Sequence, residues 1–232
     1  PAENTLSVTV SESLLPVLPE VLARIKNLFD LYCEPKAVYE TLQVMNTLQP
    51  GLCVLGTRLP GCFNVFEMSV RAVLGQQITV KAASTLAARL VAVYGTQVQT
   101  GIEGLTHSFP APAAILALGE NISEHLGKLG IISARANTIY QLARVLADEK
   151  NDFGFCGNPE EEMQKLQAIR GIGSWTAQYI AMRAMGWPDA FLPTDAGIKK
   201  ALPDHTPKEL QVLSEAWRPW RSYATVNLWN TL

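Results

Sequence analysis

The chain has 232 residues, of which 48% are hydrophobic and 17% are charged. This composition supplies a sizeable core and excludes an intrinsically disordered or low-complexity protein. The formal net charge of −2 does not indicate a polyanion partner, so any nucleic-acid site must be local. No apolar run reaches the roughly 18 residues that mark a membrane span, and the polar N-terminus lacks the pattern of a secretory signal.

Helical periodicity dominates the chain after a short strand-like opening at residues 4–10. Ser13 and Thr79 stand where helix N-caps are expected. We predict helices over residues 13–31, 35–45, 63–74, 79–94, 112–118, 121–126, 133–149, 159–169, 174–185, 196–202, 206–216 and 219–230. The chain is therefore predicted to be all-α, with one β remnant at its N-terminus.

The cysteines and histidines do not form a metal-binding pattern. The four cysteines, at positions 33, 53, 62 and 156, include no Cys-x-x-Cys pair, and the three histidines are isolated in the sequence. We therefore expect neither a zinc site nor an iron–sulfur cluster. Free thiols in a reducing cytoplasm are the simplest interpretation.

Residues 166–177 carry the most informative motif, in which a helix ends, a turn contains Gly171 and Gly173, and a new helix begins. We expect Ser174 to cap this second helix. Two glycines allow a close backbone approach, and a helix N-terminus presents unpaired amides, so the turn suits a DNA phosphate without lysine or arginine. An ordinary αα-hairpin with a glycine C-cap fits the same pattern.

Asp195 closes an apolar run at residues 191–194. An aspartate there is either the N-cap of the following helix or a buried acid beside a reaction centre. The local sequence leaves both interpretations open.

These motifs resemble the helix-hairpin-helix, Gly/Pro-Asp superfamily of DNA glycosylases, and other blocks resemble its AlkA-type branch, the 3-methyladenine DNA glycosylase II proteins. The blocks are Arg71–Gln77, Leu126–Gly130 with Arg135 and Ala136, Phe191–Asp195, and Trp217–Ala224. The resemblance implies two helical subdomains: residues 13–62 with 185–232, and a central one at 63–184 that contains the helix-hairpin-helix at 166–184. Residues 1–12 are expected to be the remnant strand of a missing N-terminal β subdomain.

The resemblance also implies roles for individual residues. Asp195 is the expected catalytic carboxylate, and Trp175, Tyr179 and Trp229 line the pocket for the damaged base. Gln77 is the wedge that fills the gap left by a flipped nucleotide. Core packing remains an alternative for the aromatic residues, and a solvated loop position remains one for Gln77. The phosphate-binding hairpin is expected to comprise Arg170, Gly171, Ile172, Gly173 and Ser174.

No cofactor is expected to be required. The resemblance implies a monovalent cation, sodium or potassium, held by the main-chain carbonyls of Gln167, Ile169 and Ile172. It also places Trp175 where bifunctional relatives carry a Schiff-base lysine, which implies a monofunctional enzyme.

The implied function is excision of alkylated purines from double-stranded DNA by base flipping and aspartate-assisted hydrolysis. We expect a monomer in the bacterial cytoplasm, associated with the nucleoid and not with a membrane. The alternative is a non-catalytic DNA-binding module of an adaptive-response, Ada-type regulator, from which a chain that begins at Pro1 would be a fragment. A helix-turn-helix regulator is disfavoured because no basic recognition helix is apparent.

Overall fold

The structure is a computed structural model that describes residues 5–147 and 158–232. Its α-helices are α1 (Leu18–Leu28), α2 (Pro35–Leu42), α3 (Val65–Leu74), α4 (Val80–Tyr94), α5 (Pro112–Leu116), α6 (Ile122–Gly127), α7 (Ser133–Leu146), α8 (Pro159–Gln167), α9 (Ser174–Arg183), α10 (Ala196–Ala201), α11 (Pro207–Leu213) and α12 (Arg221–Trp229). Short 3-10 helices occupy Glu12–Val17, Gln43–Thr47, Gly119–Asn121 and Ser214–Trp217. The predicted all-α class is confirmed.

The prediction of an N-terminal strand is wrong for the residues that the structure describes. Residues 5–11 have no regular secondary structure, and the only β-bridge in the described ranges joins Gln97 to His107. A strand is stable only when its backbone pairs with a neighbour, and residues 5–11 pair with none of the described residues. The Ser13 cap is also wrong, because Ser11 precedes a 3-10 helix that contains Pro16 and ends before α1. A helix capped by Ser13 would place Pro19 in its interior, where proline breaks the hydrogen-bond ladder, whereas in the structure Pro19 lies in the first turn of α1, where it is tolerated.

Other helix boundaries follow local capping chemistry. The Thr79 side chain accepts a hydrogen bond from the Ala82 amide at 3.2 Å, so the predicted cap of α4 is confirmed. Asn64 caps α3 in the same way, and the predicted helix at 35–45 continues beyond α2 only as 3-10 turns. Residues 148 and 149 of the helix predicted at 133–149 lie outside the described residues.

Three of the four cysteines, at positions 33, 53 and 62, are free thiols in the structure, and Cys156 lies outside the described residues. Burial raises the pKa of the Cys62 thiol to about 11 and also raises the pKa of Cys53. Thiols of this kind are mostly protonated at neutral pH and are therefore poor nucleophiles and metal ligands.

Helix packing brings distant parts of the chain together around the hairpin formed by α8 and α9. Helix α7 packs against α3, α5 and α6, while α3 also contacts α9, and α10 contacts α12. The Asn227 side chain of α12 accepts hydrogen bonds from the Val54 amide at 3.1 Å and the Thr57 hydroxyl at 2.8 Å. The subdomain boundaries at residues 62, 184 and 185 stay a prediction. Within the described ranges, no helix has the length and apolar character needed to cross a bilayer.

Candidate active site

Asp195 lies at the junction between a buried loop and α10. The preceding residues Ala190, Phe191 and Leu192 are almost fully buried, and Asp195 itself is 9% exposed. Its Oδ1 accepts hydrogen bonds from the amides of Gly197 at 2.9 Å and Ile198 at 3.1 Å, so Asp195 caps α10. The capping role anticipated from the sequence is real, but it uses only part of the carboxylate.

Two tryptophans complete the hydrogen bonding of this carboxylate. The Trp229 Nε1 donates to Oδ1 at 2.8 Å, and the Trp175 Nε1 donates to Oδ2 at 3.0 Å. Four N–H groups therefore direct their positive ends at one carboxylate, which fixes its orientation. A preorganised negative charge with little exposure to water can stabilise a developing positive charge.

Aromatic rings surround this carboxylate. Trp175 and Tyr179 are stacked, with ring centroids 5.2 Å apart and planes within 13°. Tyr179 also meets Trp229 with centroids 6.3 Å apart. All three side chains are half-buried and pack partly against the core, and the Arg183 guanidinium lies 5.9 Å from the centroid of the Tyr179 ring. The structure therefore brings together Asp195 and the three aromatic residues that the sequence singled out.

Gly197 is required for this arrangement, although the sequence did not single it out. A Cβ atom at Gly197 would lie 2.7 Å from Trp229 Cδ1 and 3.0 Å from both Trp229 Nε1 and Asp195 Oδ1. The missing side chain lets the indole lie against the first turn of α10 and reach the carboxylate. In the sequence, the glycine two residues after Asp195 could have indicated a close contact with the first turn of α10.

A buried ion pair, also missed from the sequence, holds the loop that leads to Asp195. The Arg221 guanidinium donates to Asp189 Oδ1 at 2.7 Å, to Asp189 Oδ2 at 3.0 Å and to the Asp189 carbonyl at 2.8 Å. Only 7% of the Arg221 side chain is exposed. Because Arg221 begins the helix that carries Trp229, this pair sets the position of the loop relative to the aromatic ring. Arg221 lies within the Trp217–Ala224 block, where its role was not recognised.

Gly171 lies in the hairpin turn (residues 168–173), which packs tightly on α7. Gly171 has φ of +96°, and a Cβ atom there would lie 2.1 Å from Thr138 Oγ1. The Thr138 hydroxyl donates to the Arg170 carbonyl at 3.0 Å. Glycine is therefore needed at position 171 for the left-handed backbone and for the close approach to α7. Of the neighbouring residues, Ile172 is buried, whereas Arg170 is exposed.

The other side of the hairpin turn is open. A Cβ atom at Gly173 would have no neighbour within 4 Å, so no packing contact within the described residues requires glycine there. The expectation that Ser174 caps α9 is wrong: Gly173 is the N-cap, and no side chain of the described residues caps this helix. A glycine N-cap has no side-chain oxygen that could accept from the first-turn amides, so these amides stay available to an external acceptor. Gly173 and Ser174 are both exposed.

The wedge loop (residues 75–78) joins α3 to α4 beside the hairpin turn. Its Gln77 is exposed and has φ of +54°, which is uncommon for a residue other than glycine. The neighbouring Gln76 was not assigned a role from the sequence. Its Nε2 donates to the Gly171 carbonyl and to Thr176 Oγ1, both at 2.9 Å. The structure thus places Gln77 next to the hairpin.

The main-chain carbonyls that the resemblance assigns to a cation lie at the end of α8 and in the hairpin turn. The Ile169 carbonyl accepts the Ile172 amide at 3.0 Å, and within the described ranges no backbone amide bonds to the carbonyls of Gln167 or Ile172. Carbonyl oxygens with unused lone pairs are suitable ligands for a hard monovalent cation. The residues present therefore fit such an ion.

Comparison with known proteins is consistent with this site. The AlkA N-terminal domain model matches residues 1–64, and the model of the HhH-GPD superfamily base excision DNA repair proteins matches residues 70–221. The chain is 38% identical to DNA-3-methyladenine glycosylase 2 of Escherichia coli (strain K12) over 230 residues, which is 99% of this chain and 78% of that protein.

A second relative and a solved structure extend the comparison. The chain is 40% identical over 216 residues to a Mycobacterium tuberculosis protein named "Probable bifunctional transcriptional activator/DNA repair enzyme AlkA", covering 90% of this chain and 42% of that one. The Clostridium acetobutylicum 8-oxoguanine glycosylase/lyase bound to double-stranded DNA shares the fold, with a TM-score of 0.74 at 17% identity over 96% of this chain and 76% of that one. The chain therefore belongs to the HhH-GPD superfamily of base excision DNA repair proteins and, within it, to the DNA-3-methyladenine glycosylase family.

Proposed function

We propose that this protein is a monofunctional DNA glycosylase that excises alkylated purines of the 3-methyladenine class from double-stranded DNA. The observation that carries the proposal is the buried Asp195 carboxylate, held by four N–H donors between Trp175 and Trp229. The name of the Escherichia coli relative supports the substrate class. A regulatory module without catalysis would need the hairpin but not this carboxylate.

The proposed reaction begins when the damaged nucleotide leaves the duplex and its base enters the aromatic cluster. A purine alkylated on a ring nitrogen carries a positive charge, and cation–π attraction to desolvated rings contributes about 1–2 kcal/mol. Gln77 fills the vacated position in the duplex and can hydrogen-bond to the orphaned partner base. The aromatic cluster therefore selects bases by charge as well as by shape.

Bond cleavage needs only one carboxylate. A glycosidase that acts on a neutral leaving group uses a second carboxyl group as a general acid. A cationic base is already a good leaving group, so its N-glycosidic bond breaks without added protonation. Asp195 then stabilises the positive charge that develops on the sugar and helps to position the attacking water.

The enzyme is proposed to be monofunctional because, among the residues that the structure describes, the site lacks a suitable amine. Trp175 occupies the position expected for a Schiff-base lysine. Lys165 is exposed, and the hydrogen bond from its ammonium to Glu162 raises its pKa, which keeps it protonated. Lys199 and Lys200 are exposed in the last turn of α10, away from the helix terminus that Asp195 caps. Attack on the sugar requires a neutral amine.

DNA is proposed to bind through the hairpin turn rather than through a basic surface. The uncapped first turn of α9 presents amides to a phosphate, and the open side of Gly173 permits close approach. The exposed Arg170 adds one positive charge. This arrangement accounts for DNA binding by a chain whose net charge is −2. We further propose that one copy acts alone on DNA of the bacterial nucleoid, in the cytoplasm.

A sodium or potassium ion is proposed to bind the carbonyls of Gln167, Ile169 and Ile172. The ion would neutralise carbonyl dipoles at the turn and favour a nearby DNA phosphate. Replacing potassium chloride by tetramethylammonium chloride at equal ionic strength should weaken binding to duplex DNA. Equal affinity in the two salts would contradict the proposed ion.

The proposed function is tested by incubating the protein with a duplex methylated on its purines. We expect free 3-methyladenine and an abasic strand that stays intact until alkali is added. Borohydride should trap no covalent protein–DNA adduct. Absence of base release would overturn the enzymatic proposal, whereas a trapped adduct would show that the enzyme is bifunctional.

A further inference from the structure

Gln76 bridges segments that are far apart in the sequence. Its side-chain amide donates to the Gly171 carbonyl in the hairpin turn and to the Thr176 hydroxyl in the first turn of α9, both at 2.9 Å. Its own carbonyl accepts a hydrogen bond from Arg135 Nη2 of α7. Gln76 of the wedge loop is thus hydrogen-bonded to the hairpin through its side chain and to α7 through its main-chain carbonyl.

These contacts bear directly on the conformation of Gln77. The Gln76 carbonyl belongs to the peptide unit that joins the two glutamines, and φ of Gln77 is the rotation that follows this unit. Fixing the carbonyl through Arg135 therefore fixes the plane from which the Gln77 backbone departs. A left-handed φ of +54° at an exposed glutamine persists only where its surroundings hold it.

We propose that Gln76 is a positioning residue that couples phosphate binding at the hairpin turn to insertion of the Gln77 side chain into the DNA duplex. The proposal rests on the wedge role of Gln77 within the proposed function. Because Gln76 connects the two elements, a phosphate bound at the hairpin turn sets where the Gln77 side chain meets the base stack. The wedge is thereby organised before DNA arrives, which lowers the entropy lost on binding.

The first test compares Gln76→Ala with the original protein on two duplexes. One duplex contains an abasic-site analogue, which has a gap for the wedge, and the other is undamaged. We expect affinity for the first to fall about tenfold, the scale of one or two hydrogen bonds, while affinity for the undamaged duplex changes less than twofold. Gln164→Ala, which truncates an exposed glutamine on α8, is the matched control and should change neither affinity.

The second test is a double-mutant cycle with Gln77→Ala. If Gln76 acts through the wedge, Gln76→Ala should weaken binding to the abasic analogue less than twofold further when Gln77 is already alanine. An equal tenfold loss in both backgrounds, or an equal loss on undamaged duplex, would overturn the proposal and leave Gln76 as a structural support of the hairpin.

The double-mutant cycle can decide the role of Gln76 even if the alanine variant is unstable or the protein releases no base. Gln76→Met keeps the length of the side chain and removes the donor without adding a charge near the DNA, so it replaces the alanine variant if the alanine variant unfolds at a lower urea concentration, and the same two outcomes apply. Binding to the abasic analogue requires no base release. A protein that releases no base from methylated DNA would therefore refute the proposed function, while the cycle would still decide the role of Gln76.

Discussion

Alanine substitution of the two glycines in the hairpin turn should have different effects, because it should lower the stability of the fold at Gly171 and weaken DNA binding at Gly173. In Gly171→Ala, the left-handed φ of +96° costs about 1–2 kcal/mol. The new methyl group would also lie 2.1 Å from Thr138 Oγ1, whose hydrogen bond to the Arg170 carbonyl must then break or shift. We expect the free energy of unfolding to fall by about 2–4 kcal/mol.

In Gly173→Ala, by contrast, the methyl group enters open space, since no atom lies within 4 Å. Alanine lowers the entropy of the unfolded chain, which stabilises the fold, but it is a poorer N-cap than glycine, which destabilises α9. The free energy of unfolding should therefore stay within about 1 kcal/mol of the original. The methyl group would instead stand where a phosphate approaches. Loss of a hydrogen bond to a charged group should weaken binding to duplex DNA about tenfold or more.

Urea unfolding and titration with an undamaged duplex measure the two effects separately. Gly127→Ala is a matched control, because Gly127 is also exposed with no atom near its missing Cβ, and it should change neither quantity appreciably. Equal destabilisation by Gly171→Ala and Gly173→Ala, or unchanged DNA affinity in the latter, would refute the assignment of packing to one glycine and phosphate approach to the other.

Three further predictions concern charge and the site. The logarithm of DNA affinity should fall with the logarithm of salt concentration at a slope between about −1 and −2, for one or two phosphates, and a slope steeper than about −5 would indicate an unrecognised basic surface. Arg221→Ala should lower the free energy of unfolding by about 2–3 kcal/mol, because Asp189 loses its three hydrogen bonds from the buried Arg221 and keeps, among the described residues, only the ion pair with the more exposed Arg218. Lys128→Ala in an exposed pair should change it by less than about 1 kcal/mol; equal effects in urea unfolding would contradict this. Trp229→Phe keeps an aromatic ring but removes one donor to the Asp195 carboxylate, so single-turnover base release should slow about tenfold, and an unchanged rate would show that the ring alone matters.

Local chemistry made much of the fold predictable from the sequence. Thr79 caps the N-terminus of α4, as predicted from the sequence. Prediction failed where the outcome depends on a partner far along the chain. The strand expected at residues 4–10 needed a neighbour to pair with, and sequence pattern alone does not report whether that neighbour exists. The Ser174 cap failed because the chain turns one residue earlier, at Gly173.

The site shows the same limit. From the sequence, a capping role and a catalytic role for Asp195 looked like alternatives, but one carboxylate oxygen caps α10 while the other receives Trp175. The contact between Asp195 and Trp229 spans 34 residues, and that between Gln76 and Gly171 spans 95. Such contacts depend on how helices pack together, which periodicity does not specify.

The most direct test of the central claim is single-turnover release of 3-methyladenine by Asp195→Asn. Asparagine caps helices as well as aspartate does, so its oxygen can still accept the Gly197 and Ile198 amides and the fold should be retained. Its amide nitrogen, however, carries no negative charge and cannot accept from Trp175. We predict that base release falls by about 10²–10³ or more, while binding to a duplex with an abasic-site analogue stays within a few-fold of the original. A folded Asp195→Asn protein that releases base at nearly the original rate would contradict the account and leave Asp195 as a helix cap.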